Sequence, residues 1–103
     1  MSKKESHLSK SVRKILDKQP KTWFFIVQAF AIRGIPDVIG VCNGRFFAME
    51  LKKDKAESRK TTGRIVLQKY ILDRIEKAGG LSYLVYPDIL DEVILDLRSS
   101  CNL

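Results

Sequence analysis

The chain has 103 residues and a mass of 11.8 kDa, enough for one domain with one modest core. Hydrophobic residues make up 45% of it and charged residues 30%, which excludes collagen-like, mucin-like and mostly disordered chains. Nineteen Lys and Arg against twelve Asp and Glu give a net charge of +7, distributed as +5 over residues 1–22, +4 over 23–64 and −2 over 65–103. A basic N-terminal two-thirds points to a polyanionic partner; the plainer reading is a basic surface kept for solubility.

The longest apolar run, Trp23 to Ala31, is broken by Gln28 and falls far short of the ~20 residues a membrane helix needs. Met1-Ser2-Lys3-Lys4-Glu5 has no apolar stretch behind it and is not a secretory signal. Two cysteines, Cys42 and Cys101, are too few to staple a secreted scaffold. Reduced thiols, a cytoplasmic location and no membrane partner are expected.

In chain order, Ser2 to Lys18 reads as a helix. Leu8, Val12, Ile15 and Leu16 form one apolar stripe, Ser2 and Glu5 have capping-box spacing, and Pro20 ends the segment. Thr22 to Ile32, rich in aromatic and β-branched residues, reads as a buried strand. Trp23, Phe24 and Phe25 then read as core rather than base-stacking residues. Asp37–Cys42 and Arg45–Lys52 flank Asn43-Gly44, the strongest short-range hairpin signal, because a type I′ turn needs positive φ at both central positions. Lys53 to Arg64 carries net +3 and reads as a mobile loop. Ile65 to Ala78 reads as a helix with Leu67, Tyr70, Ile71, Ile75 and Ala78 on one face, stopped by Gly79-Gly80. Leu81 to Tyr86 is a short strand. Pro87-Asp88 opens a last helix through Leu97, with Asp88 as its N-cap. The order αβββαβα predicts an α/β fold with a mixed central sheet flanked by helices.

The hairpin brings chemistry together. With a two-residue turn, the numbers of paired residues add to 87, so Ile39 faces Ala48 and Asp37 faces Glu50. Opposed residues have Cβ atoms ~4.5–5.5 Å apart. Lys52, two residues beyond Glu50, points to the same face. Opposed carboxylates are destabilising unless a divalent cation, a proton or a cationic side chain intervenes, and Lys52 is near enough to be the last. A hard ion such as Mg²⁺ takes carboxylate oxygens, waters and phosphate oxygens, and lowers the pKa of a bound water.

Gly34-Ile35-Pro36-Asp37 followed by Glu50-Leu51-Lys52 resembles the PD-(D/E)xK nuclease motif. The wider ordered set resembles the VRR-NUC family within that superfamily. It comprises Glu5 on a first helix, Gly34, Pro36-Asp37, Glu50, Lys52, a basic loop, Gln68 early in the next helix, and Gly79-Gly80. The resemblance spans nearly the whole chain as a single nuclease domain, residues 1–103, with a restriction-endonuclease-like core. It implies a Mg²⁺- or Mn²⁺-dependent, structure-selective DNA endonuclease. Asp37 and Glu50 would be metal ligands helped by the Leu51 carbonyl, Lys52 would orient the water, Gln68 would support metal or nucleophile, and Glu5 would reach the metal directly or through water. Small stand-alone members of this kind look like dimeric, junction-cleaving enzymes, and so compact a nuclease would suit a phage or bacterial genome.

Each residue has a plainer reading. Asp37 can simply initiate a turn, Glu50 and Lys52 can be edge-strand charges, Glu5 is a good capping-box acid on the core-facing stripe, and Gln68 can be plain surface. His7 reads as an exposed helix residue and Cys42 as a small core residue, with Cys101 near a frayed terminus. Lys53, Lys55, Arg59, Lys60 and Arg64 follow the Glu50-x-Lys52 strand and are expected to reach flanking phosphates. The leading reading is a junction-resolving endonuclease acting on branched DNA. The alternatives are a flap or single-strand nickase, a non-catalytic nucleic-acid-binding module, or a small interaction protein. A homodimer is expected, because cutting both strands of a junction needs two sites. Trp23, Phe24, Phe25, Phe30, Phe46, Phe47 and the apolar last helix supply material for its interface.

Overall fold

A computed structural model describes residues 3–27, 33–60 and 63–103. The elements are α1 (Lys3–Asp17), β1 (Thr22–Ile26), β2 (Val38–Cys42), β3 (Arg45–Leu51), α2 (Lys55–Ser58), α3 (Gly63–Lys77), β4 (Leu81–Val85), a 3₁₀ turn over Pro87–Ile89, and α4 (Leu90–Ser100). The strands form a mixed sheet in the order β1-β2-β3-β4. β1–β2 and β2–β3 are antiparallel, and β3–β4, joined through α2 and α3, is parallel. The fold is α/β, as the sequence predicts.

The hairpin register is the expected one. Cys42 pairs with Arg45 and Val38 with Met49, and Asn43 and Gly44 both have positive φ, at 51° and 85°. Both long C-terminal helix ends close in Schellman motifs. After α3, Gly79 N–H donates to Glu76 and Gly80 N–H to Ile75. After α4, Asn102 N–H donates to Ser99 and Leu103 N–H to Arg98. The chain end is therefore not frayed at Cys101. That residue is buried against the core, and the Asn43 side chain donates to its carbonyl at 2.8 Å.

The two sheet faces are covered unequally. On one, Val38, Cys42, Phe47, Met49 and Leu51 pack against Leu8, Val12 and Leu16 of α1 and Leu90, Val93, Ile94 and Leu97 of α4. On the other, α3 is the helix that packs over the sheet among the described residues, against β4 and β3. This asymmetry overturns the buried-strand reading of β1. That strand lies at the sheet edge, Phe24 turns into the core, and Trp23 and Phe25 project from the face that α3 leaves bare. The extension of this strand over residues 28–32, including Phe30, lies outside the described residues. Phe47 and most of the apolar side chains of α4 are consumed within the chain, which leaves Leu95 exposed. The last helix thus covers a sheet face of its own chain rather than offering a broad apolar surface.

Two smaller expectations are corrected. Part of the stretch read as a mobile loop is α2, a single helical turn whose N-cap Asp54 carboxylate accepts from Glu57 N–H at 2.9 Å, with Ser58 buried beneath it. Asp88 does not cap the last helix. It sits inside the 3₁₀ turn that Tyr86 precedes, and α4 begins at Leu90.

Candidate active site

Asp37, Glu50, Lys52 and Gln68 come together where β2 and β3 part. The register that pairs residues adding to 87 would set Pro36 opposite Leu51. Proline has no N–H to give, so the antiparallel ladder ends there. The Leu51 N–H is instead taken by the Asp37 carboxylate, Oδ2 at 2.7 Å, which pins Asp37 toward β3. On its other side Asp37 accepts Val27 N–H on its backbone carbonyl at 2.8 Å, continuing the β1–β2 pairing by one residue.

The turn before Pro36 is fixed by Gly34. Its φ is +80°, and a Cβ there would lie 2.6 Å from Ile71 and 2.8 Å from Leu67 of α3. Only glycine both adopts this backbone and lets the loop lie so close to α3.

Glu50, in the interior strand β3, and Lys52, just beyond its end, point to the face under α3, which removes the edge-strand reading of these charges. Glu50 is 2% exposed, Lys52 4% and Gln68 3%, so Gln68 is not a surface residue. Gln68 Nε2 donates to Glu50 Oε1 at 2.8 Å, and its Oε1 accepts from Lys52 Nζ at 2.6 Å. Lys52 Nζ stands 3.8 Å from the same Glu50 oxygen. One amide therefore holds both charged groups in place. Burial first, then a side-chain hydrogen bond with Asp37 and the Asp37 charge, push the Glu50 carboxyl up to about 9 against the opposite pull of Lys52 and Arg64. With both carboxyls ionised, the buried Glu50 Oε2 has no hydrogen-bond donor; without a cation, the proton between Glu50 and Asp37 takes that place.

That orphaned oxygen bears on whether a divalent ion fits. Two carboxyl groups side by side, one with a buried unpartnered oxygen, form a hard-oxygen donor set that a hard cation satisfies. The position opposite Leu51 also supplies its carbonyl no ladder donor, for the Pro36 reason given above. Among the described residues no group of three or more His, Cys, Asp or Glu is assembled. Glu5 falls in α1, but its side chain lies outside the described residues.

The basic residues expected to meet phosphates fall beside this site in sequence and differ in setting. Lys53 is 3.9 Å from Glu57, Lys55 lies in α2, Arg59 caps it, and Lys60 offers its carbonyl to Lys69. Arg64 lies in the first turn of α3, close enough to Glu50 to favour its ionised form. His7 is exposed, as expected. The exposed Trp23–Phe25 pair was missed because β1 is apolar on both faces, the pattern of a strand covered on both sides.

The sheet order, the flanking helices and the carboxylates at the β2–β3 fork define an α/β fold with a restriction-endonuclease-like core. A solved VRR_NUC domain has this fold: it superposes with a TM-score of 0.72 over 91% of this chain and 97% of its own, at 19% sequence identity. No family model matches the sequence, and no curated protein matches it. Among the described residues no helix is long and apolar enough to cross a membrane.

Proposed function

We propose that the chain is a divalent-metal-dependent nuclease of the VRR-NUC kind that hydrolyses DNA phosphodiester bonds. The observation that carries this reading is the Asp37–Glu50 pair with its unpartnered, buried Glu50 Oε2. Two acids facing a polyanion oppose binding, so a module that only bound nucleic acid would gain nothing from them. They become useful when a cation stands between them and a phosphate.

Asp37, Glu50 and the Leu51 carbonyl are the proposed donors to Mg²⁺ or Mn²⁺, with Glu5 as a further oxygen donor from α1. When bound, such an ion supplies positive charge that lowers the pKa of a water and offsets charge growing on the phosphate. Lys52, held by Gln68, orients the attacking water or offsets the same growing charge. Gln68 also keeps Glu50 Oε1 occupied, which leaves Oε2 as the free donor. Lys53, Lys55, Arg59, Lys60 and Arg64 hold the flanking phosphates. The substrate class we favour is branched DNA, cut as by a Holliday-junction resolvase, with a homodimer supplying two sites in the cytoplasm of a bacterial or phage-host cell.

The test is nicking of supercoiled plasmid with Mg²⁺, Mn²⁺ or EDTA, followed by labelled four-way junction, flap and linear duplex. Cleavage is expected with metal and none in EDTA, with the junction preferred. Asp37→Asn and Glu50→Gln should each abolish cutting, because each removes a ligand. DNA binding in EDTA should stay intact in Glu50→Gln, whose carboxyl already holds a proton below about pH 9 without metal, and stay intact or strengthen in Asp37→Asn, which removes a repulsive charge. Full activity in either variant overturns the site.

A further inference from the structure

We propose that Trp23 and Phe25 form a stacking platform for unpaired nucleobases beside the carboxylate site; the identity of the polymer as DNA rests on the nuclease reading above. Both side chains are exposed, Trp23 by 61% and Phe25 by 53%, although they sit in a strand of the central sheet. Their rings lie nearly parallel, 6.4 Å between centroids and 14° between planes. Val41 and Phe46, their neighbours across β2 and β3, are exposed too, so the patch is contiguous.

Placement links this patch to the chemistry. Trp23 pairs with Val41 and Phe25 with Ile39, and the next step along the same register sets Val27 beside Asp37. Trp23, Phe25, Asp37 and Glu50 therefore share one sheet face. Phe25 lies two residues, about 7 Å, along β1 from the row of Asp37, and Trp23 about 13 Å. A strand whose phosphate is held at Asp37 and Glu50 can lay its next bases over these rings.

Charge favours a nucleic acid over a second copy of the chain as the occupant. From Lys18 to Glu50 the charged residues are Lys18, Lys21, Arg33 and, at the hairpin turn, Arg45, with two acids, Asp37 half-buried and Glu50 buried, so the exposed charge around the patch is basic. Lys21, Arg33 and Arg45 are exposed. Two copies meeting here would oppose like charges, whereas a single strand brings phosphates to the cations and bases to the rings.

Trp23 is the chain's one tryptophan, so its emission reports this surface directly. The experiment titrates the intact protein in EDTA with a dT 12-mer and with an abasic 12-mer carrying the same phosphates. The dT oligomer is expected to quench Trp23 and the abasic one to leave it nearly unchanged. Phe25→Ala should weaken dT binding by about 5- to 150-fold, the usual loss for one stacked base, and leave abasic binding unaltered. Equal quenching by both oligomers, or unchanged dT affinity in Phe25→Ala, overturns the platform. So does unaltered Trp23 emission in a chain that sediments as a dimer and becomes monomeric in Trp23→Ala, which assigns the face to a second copy. Since no metal is present, a chain that fails to nick plasmid still reads out stacking, and a chain that nicks without quenching retains the nuclease reading while losing the platform.

Discussion

Glu50 concentrates the energetics of this molecule in one side chain. Its carboxyl is raised from the ordinary 4.5 to about 9, first by burial and then by Asp37. In the metal-free chain the folded state thus keeps a proton that the unfolded state releases above pH 4.5. The linkage sign follows: stability is intact below about pH 4.5, falls as pH rises toward 9, and levels off beyond it. Urea denaturation in EDTA across this range should show that decline, and Glu50→Gln should flatten it; an equal slope in the variant would place the titration elsewhere. Lys52 carries a separate expectation. Lys52→Ala should lose ~10²–10⁴-fold in single-turnover rate, the usual contribution of a positioned proton-transfer group, with Mg²⁺ affinity by calorimetry retained. Loss of metal affinity with unchanged chemistry contradicts its assigned role. Gln68 was placed by resemblance alone, and its burial and two hydrogen bonds give it a physical reason that sequence spacing does not contain.

At the scale of elements, the turn at Gly34 and the segment after β3 set how the site is presented. Gly34→Ala puts a Cβ into Leu67 and Ile71 and a non-glycine residue at φ +80°. A loss of about 1–3 kcal/mol is expected by denaturation, together with slower cleavage, because the same turn delivers Pro36 and Asp37. Stability within a few tenths of a kcal/mol of the parent would mean that the loop simply moves away. The segment over α2 makes a different prediction. Replacing Lys55, Arg59 and Lys60 by Gln should weaken binding to all DNA sequences alike. It should also make the slope of log affinity against log salt shallower by about 2 to 3, roughly 0.9 per lost phosphate contact. An unaltered slope would show that this turn touches no phosphates. The sequence did not distinguish this turn from a loop, since the Asp54 cap has only one helical turn to act on.

For the whole molecule, unequal coverage of the sheet is the governing fact. Among the described residues, α1 and α4 seal one face and α3 is the helix over the other. The site lies under α3, and the bare remainder of that face carries the aromatic pair. Because α4 is used up inside the chain, a homodimer must find its contacts elsewhere. Sedimentation equilibrium at micromolar concentration should nonetheless give a mass near twice 11.8 kDa, and the dimer should cut two opposed junction strands at symmetric positions. A monomer that stays monomeric on junction DNA would shift the reading to a flap or single-strand nickase.

Short-range rules determined much of this protein from sequence. Asn43-Gly44 fixed the hairpin register, and the register in turn set Asp37 against Glu50 and Lys52 on one face, because turn geometry and strand alternation are local. The helices α1, α3 and α4 were legible as elements for the same reason, through apolar periodicity and the Gly79-Gly80 stop, but the face of α3 was not: Tyr70 and Ala78 are exposed, and Ile65, Gln68 and Leu72 are its buried residues. The tertiary structure decided what depends on neighbours distant in sequence. The apolar run of β1 does not say which strand ends up at an edge, so Trp23 and Phe25 read as core although α3 leaves them uncovered. Gln68 lies 18 residues from Glu50, and only the packing of α3 on β3 turns a polar helix residue into the clamp between an acid and an amine. Burial, which raises the Glu50 pKa and orphans its second oxygen, is a property of that packing and has no counterpart in the order of residues.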